Sequence, residues 1–270
     1  MSSIISFTLV LALVKTTQQQ ATLCGSSSQQ QTDYCSPTLC AAGLTHIACN
    51  GLTTLASTCG AGANEVTLDS SLKTLILELH NQIRSKIATG NQNYTSNGYY
   101  PQASRMATVI WSDELASIAA ANARRCVYGH DQCRNTAAFK AVGQNIAMKS
   151  YYGISFSTID LIKAFVNAWY VEYAIANATI IASYPRGYTG PAIGHFTQIV
   201  ADRVTQLGCS FVTFNTPPWI NQYFVCNYSI TNIVGQPVYV SGNYCSRCTT
   251  GYNTRYPGLC NQNEVINSNP

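Results

Sequence analysis

A mixed helix-and-strand domain, α+β in class and cross-linked by disulfides, is what this chain of 270 residues predicts, on three observations. Apolar residues recur at three-and-four spacing over Leu72, Leu75, Ile76, Leu79, Ile83 and Ile87, and again over Leu161, Ile162, Phe165 and Trp169, which marks helices with one buried face. Two strand-like runs, Leu207–Phe214 and Tyr223–Tyr228, flank the turn-forming Asn215-Thr216-Pro217-Pro218-Trp219 and read as a hairpin. Twelve cysteines, an even count behind an apolar leader, imply a disulfide framework formed in an oxidising compartment. Charged residues make up only 10% of the chain, against about a quarter in an average domain, so Ser, Thr, Asn, Gln and Tyr must cover much of the surface, in the manner of an extracellular protein. The net charge of +4 is modest and no basic run exceeds Arg124-Arg125, which excludes the basic stripe of a nucleic-acid binder.

In chain order, Ile4 to Val14 is apolar apart from Ser6 and Thr8. That run is too short to span a bilayer and has the length of a signal-peptide core, so residues 1–20 are expected to be a signal peptide and the mature protein to be secreted, with no membrane span. Residues 21–65 read as a Gln/Ser/Thr-rich flexible leader followed by a cysteine-rich segment too poor in apolar residues to fold alone. A main domain is expected over 66–240, and a cysteine-bearing tail over 241–270. Within the domain, Asp69 or Ser70 caps the first helix, Ala107–Trp111 reads as a short strand, and Ser112 starts a second helix running to about Arg125. Gly143–Met148 reads as a strand, and Thr158 or Asp160 starts a third helix. Glu172, three residues beyond Trp169, falls on that helix's buried side, where a charge needs a partner. The stretch Gly194-His195-Phe196-Thr197-Gln198-Ile199-Val200 reads as one or two helical turns carrying a placed imidazole.

Four polar side chains are the candidates for a site: His130, Gln144, Glu172 and His195. The motifs around them, His130-Asp131-Gln132-Cys133-Arg134-Asn135, Gly143-Gln144-Asn145-Ile146, Gly194 to Val200 and Val225-Cys226-Asn227-Tyr228, stand in order with Leu79-His80-Asn81-x-x-Arg84 and His46-Ile47-Ala48-Cys49. Together they resemble the superfamily of cysteine-rich secretory proteins, antigen 5 and pathogenesis-related proteins (CAP), most nearly its insect antigen 5 or venom-allergen-like branch. The resemblance implies a three-layer α-β-α sandwich with a cleft lined by two histidines, here His130 and His195, and two acids. One acid maps to Glu172; the other position holds Gln144, an amide that cannot act as a base. It further implies the bridges Cys35–Cys49, Cys40–Cys133, Cys59–Cys126 and Cys209–Cys226, leaving the pairing of Cys24, Cys245, Cys248 and Cys260 open.

The chemistry expected of that cleft is slight. His130, His195 and Glu172 supply enough donors for a labile divalent ion such as zinc, but no cofactor is required, the HExxH spacing is absent, and the residue that would activate water is replaced by Gln144. No Gly-x-Ser-x-Gly elbow marks a serine nucleophile. The expectation is therefore a non-enzymatic, monomeric protein of venom, saliva, gut or reproductive fluid that contacts another extracellular protein. A binder of sterols or fatty acids is the alternative that the resemblance implies, since members of that superfamily have been linked to such binding, with the aromatics Phe211, Phe214, Trp219, Tyr223 and Phe224 as its support in the sequence; a metal-dependent hydrolase ranks last. Asn93 and Asn177 head glycan-acceptor sequons, while the sequon at Asn227 sits beside a cross-linked strand. His46 and His80 read as structural.

Overall fold

The computed structural model describes residues 32–94 and 98–270; the expected signal peptide, the leader to residue 31 and Cys24 lie outside the described residues. Strand β1 (Asn64–Val66) leads into helix α1 (Ser70–Ala88), which Asp69 caps by accepting from the Leu72 amide at 2.9 Å. Strand β2 (Ile110–Trp111) and helix α2 (Asp113–Ala123) follow, the latter capped by Ser112 with Asp113 and Glu114 in its first turn. Next come β3 (Gly143–Tyr151), α3 (Thr158–Tyr170), a 3-10 turn over Val171–Ala174, the short α4 (Ala178–Ala182), α5 (Gly194–Val200), β4 (Gln206–Thr216) and β5 (Trp219–Tyr228).

One five-stranded sheet runs in the order β1-β4-β5-β3, with β2 pairing in parallel to the start of β4 and every other pair antiparallel. Helix α2 covers one face of the sheet; α1, α3 and α5 pack together on the other, giving the three-layer sandwich. Strand alternation sorts the side chains between the two layers. Phe211, Phe224, Cys226 and Tyr228 join Ile76, Phe165, Trp169 and Phe196 on the α1/α3/α5 side, while Val212, Phe214, Tyr223 and Val225 meet Ala119, Ala123 and the Cys59–Cys126 bridge under α2. The alanines of α2 let it lie close to the sheet. At Gly208 a β-carbon would collide with the Ser112 carbonyl and the Ala116 amide, so only glycine permits that approach.

Several expectations need correction. The strand expected over Ala107–Trp111 shortens to Ile110–Trp111. The Asn81 side chain takes over both backbone groups of Val109, and Thr108 bonds Cys260, so these residues serve α1 and the tail instead of a ladder. Helix α3 does start at Thr158, one of the two expected starts, and Ser157 before it is the cap, its hydroxyl both accepting from the Asp160 amide and donating to the Asp160 carboxylate. The strand expected to end at Met148 runs on to Tyr151 along β5. The aromatics that suggested lipid binding are core: Phe211, Phe214, Tyr223 and Phe224 are buried, and the Phe224 ring lies nearly parallel to those of Phe165 and Trp169 at centroid distances of 5.9 and 5.5 Å. Of that set only Trp219, at the hairpin turn, is half exposed.

Among the described residues five disulfides are closed: Cys35–Cys49, Cys40–Cys133, Cys59–Cys126, Cys209–Cys226 and Cys248–Cys260. Cys209 and Cys226 are direct partners in the β4–β5 register. The fifth bridge ties the tail into a loop and leaves Cys245 without a disulfide partner among the described residues. The tail is further clipped by Glu264, whose carboxylate accepts from the amides and hydroxyls of Thr249 and Thr250. Among the described residues no helix is long and apolar enough to cross a membrane.

Candidate functional site

A cavity of about 410 Å³ lies against α2, but the candidate side chains gather elsewhere, around a cavity of about 350 Å³ where the sheet's end meets α5. His130, Gln144, Asn145, Tyr184, His195, Gln198 and Asn232 line it. Gln144 arrives from β3 and stands directly opposite Asn227 of β5. Its amide nitrogen donates to the Asn227 side-chain oxygen at 3.0 Å and to Asp131 Oδ2 at 2.8 Å. Those two bonds fix which way the amide points, so its oxygen is the acceptor for His130 Nδ1 at 2.7 Å. The proton of His130 is thereby on Nδ1 and the lone pair of Nε2 is left free. Burial holds His130 below the usual histidine range, with Arg134 and His195 adding to the effect and the Gln144 bond and Asp131 opposing it. Asp131 is in turn paired with Arg134 at 2.8 Å and bonded by Asn122 of α2.

His195 is built from the opposite layer. Its Nδ1 donates to Glu172 Oε1 at 2.6 Å, and its ring lies parallel to Trp169 at a centroid distance of 6.2 Å. The other Glu172 oxygen accepts from the amides of His195 and Phe196 at 2.9 and 3.0 Å. Glu172 therefore does two things: it orients the imidazole and supplies the N-terminal cap that α5 lacks, since Ile193 at the cap position has no side-chain bond to give. Its carboxylate is spent on those three donors and is not among the cavity's lining groups. The far end of α5 is held by Arg84 from α1, fully buried, which donates to the carbonyls of Ile199 and Ala201 at 2.8 Å each and also to those of Val204 and Ala107. A seven-residue helix is too short to persist by itself, and here a carboxylate and a guanidinium from remote elements secure its two ends.

A polar chain backs the cavity wall. Asn145 donates to the His195 carbonyl at 3.1 Å and to the Tyr228 hydroxyl at 3.2 Å. His80 meets the Ile76 carbonyl through Nδ1 and Tyr228 through Nε2 at 2.9 Å. A carbonyl only accepts, so Nδ1 of His80 carries the proton, and burial pushes its pKa down to about 4. His46 likewise sits in a structural role, stacked on Tyr34 and bonded to the Asn135 carbonyl and the Ala48 amide.

The structure thus brings His130, Gln144 and His195 to one cavity and places Glu172 behind His195. The sequence reading missed Asp131, Asn145, Asn227 and Tyr228 as the partners that orient these groups. The signal for Asn227 was its place in a strand opposite Gly143-Gln144-Asn145, which required the register to be known. His130 and His195 both line the cavity, but among the described residues no group of three His, Cys, Asp or Glu side chains is arranged to hold a metal ion. The donor set fits a loosely held divalent ion with two protein nitrogens and does not fit a closed three-ligand site.

Residues 77–228 match the model of the cysteine-rich secretory protein family, known as CAP. The chain belongs to that family. Its relatives include Venom allergen-1 of Aedes aegypti, 42% identical over 87% of this chain and 90% of that protein, and Venom allergen 5.02 of Dolichovespula maculata, 34% identical over 74% and 91%. The CAP chain is also similar to the crystal structure of NaASP2 with Zn2+, with a TM-score of 0.59 and 28% identity over 72% of this chain and 96% of that one. These relatives place it with the antigen 5 and venom-allergen proteins.

Proposed function

We propose that this CAP protein is a secreted, non-enzymatic interaction protein of venom, saliva, gut or reproductive fluid, acting through surface contact with another extracellular protein. One observation carries the reading: both acidic positions of the cleft are closed to chemistry. Glu172 is occupied by three N–H donors, and Gln144 is an amide locked between Asp131, Asn227 and His130. Among the described residues that line the cavity none is a carboxylate that could take a proton from an attacking water. Five disulfides and a weakly charged exterior suit a protein that must persist outside the cell, and the venom-allergen relatives agree with that setting. The test is turnover of peptide, ester and phosphoester substrates by purified protein with and without added zinc. No rate above buffer is expected; hydrolysis that disappears in His195→Ala overturns the reading.

A second reading concerns the cleft alone. His130 and His195, each with Nδ1 committed to an oxygen partner, support weak binding of a divalent ion by their other ring nitrogens, and burial holds the His130 pKa below the usual histidine range, which favours its ligating form. The Zn2+ in NaASP2 agrees with it. Calorimetric titration with zinc is expected to show a single site that either His130→Ala or His195→Ala removes; heat unchanged in both variants rejects it.

A further inference from the structure

The path of the sheet ends at β1 and at β3. Strand β1 is three residues long and offers little to a passing chain, whereas β3 runs for nine residues in unbroken register with β5 and contains no proline. Alternation decides which backbone groups of β3 are spent. Ile146 gives its carbonyl to the Trp169 indole of α3 at 3.2 Å, so that carbonyl points away from β5. The side chains of Gln144 and Asn227, and of Ser150 and Asn221, meet across the ladder at 3.0 and 2.6 Å, as in the closely spaced pairs that exchange no backbone bonds. Even-numbered residues of β3 therefore turn their N–H and C=O outward, and odd-numbered ones bond β5. At Ile146 the outward side is closed by α3. Beyond it Met148, Lys149 and Ser150 are all exposed, so neither helical layer covers the strand there, and among the described residues no turn or loop backbone bonds Met148 or Ser150. Those two residues hold four outward main-chain groups in one row, a template for an added strand.

The side chains around that row say what can lie on it. Met148 is exposed on the strand, Tyr152, Ile154 and Phe156 are exposed just past its end, and so is Trp219, next to Ile220, the register partner of Tyr151. Exposed aromatics and methionine are what the core of a protein–protein contact is enriched in. Lys149 is the only charged residue from Gly143 to Ser157. Its ammonium lies 4.8 Å from the centroid of Phe156 and has no ion pair among the described residues. A second copy of this chain suits the edge badly. Two-fold antiparallel pairing through both open residues would set Lys149 directly opposite its own counterpart in a closely spaced pair, where like charges repel. An acidic residue at that place would be attracted.

We infer that the open half of β3 is a docking edge for an extended segment of another protein, with an acidic residue opposite Lys149 set between two apolar residues opposite Met148 and Ser150. The inference deepens the proposed contact function and rests on that reading; absence of strand pairing strikes this surface alone, whereas turnover by the cleft strikes the reading itself.

The probe is the peptide acetyl-Thr-Val-Glu-Val-Thr-amide, compared with a version carrying lysine for glutamate and with one whose three central peptide nitrogens are methylated, which keeps the side chains and removes the donors. Each is added to the full nitrogen-15-labelled protein with its disulfides intact, and hydrogen exchange and chemical shift are followed at the amides of residues 147–151. In the free protein the amides of Met148 and Ser150 should exchange at least about tenfold faster than those of Ala147, Lys149 and Tyr151. The acidic peptide should slow and saturably shift Met148 and Ser150 with high-micromolar to millimolar affinity, the lysine version should bind about fivefold more weakly, and the methylated one should not bind. Lys149→Glu should reverse the charge preference. Ser150→Pro, a substitution that edge strands tolerate, removes one outward donor and should abolish binding; if that variant does not fold, Lys149→Glu decides. Slow exchange of Met148 and Ser150 in the free protein, no shift with the acidic peptide, equal binding of the methylated one, or a charge preference that survives Lys149→Glu would overturn the assignment.

Discussion

Glu172→Gln tests the claim that one carboxylate holds both His195 and the start of α5. In the native protein it accepts three N–H groups while only 7% exposed. A glutamine keeps one acceptor oxygen and turns its amine toward a donor, so at least one N–H loses its partner and the others lose a charged acceptor. Hydrogen bonds to a charged group contribute about 1.5–3 kcal/mol each, and removing a buried charge returns part of that through relieved desolvation. The expected net loss is about 3 kcal/mol. Urea unfolding at neutral pH with the disulfides intact measures it. Freed from Glu172, the His195 ring should also lose about tenfold in affinity for added zinc, as when the orienting partner of a ligating histidine is removed. A loss below about 1 kcal/mol together with unchanged zinc affinity would refute the reasoning, since it would mean that α5 and its imidazole are held by packing alone.

Three further outcomes follow from the same geometry. Arg84→Met strips donors from the carbonyls of Ala107, Ile199, Ala201 and Val204, and thermal or urea unfolding should show a loss of about 3–5 kcal/mol, with Arg84→Lys intermediate because an ammonium cannot span all four. His80 titrates at about 4 in the fold against an ordinary 6.5, so the unfolded chain takes up the proton first; stability is full above 6.5, declines by roughly 3 kcal/mol as pH falls to 4, and this slope should flatten in His80→Gln. Asn177 caps α4 through its oxygen and is only partly buried, whereas Asn227 is fully buried and donates to the Leu115 carbonyl. Peptide mapping of protein made in insect cells should find glycan at Asn177, lost in Asn177→Gln, and none at Asn227.

Much of this architecture was legible in the residues, for physical reasons. Helices α1 and α3 carry long apolar stripes, and the β4–β5 hairpin has continuous strand residues around a proline turn, so local pattern and global packing agree there. Strand β1 escaped because three residues, Asn64-Glu65-Val66, are too few to show a period, and α4 because five residues cannot. The shortened β2 reflects a contest no local pattern reveals: Asn81, on a helix, takes the Val109 backbone groups that a ladder would have used. The aromatic run that suggested a lipid site was the two faces of one strand pair, which alternation buries in two different layers. In the site, the imidazoles and Glu172 stood out by type and setting, but Asp131, Asn145 and Asn227 acquire their roles only through the β3–β5 register, where Gln144 meets Asn227.

The two imidazoles of the cleft hang from different layers of the sandwich. His130 is tethered through Gln144 and Asp131 to Asn122 of α2, whereas His195 is tethered through Glu172 and, at the other end of its helix, through Arg84 to α1. Whatever spans the gap between their Nε2 atoms ties the two outer shells of the molecule directly to each other, around the end of the sheet instead of through it. Occupancy of so small a cavity would then be felt as a stiffening of the entire domain, a non-covalent staple added to the sulfur ones.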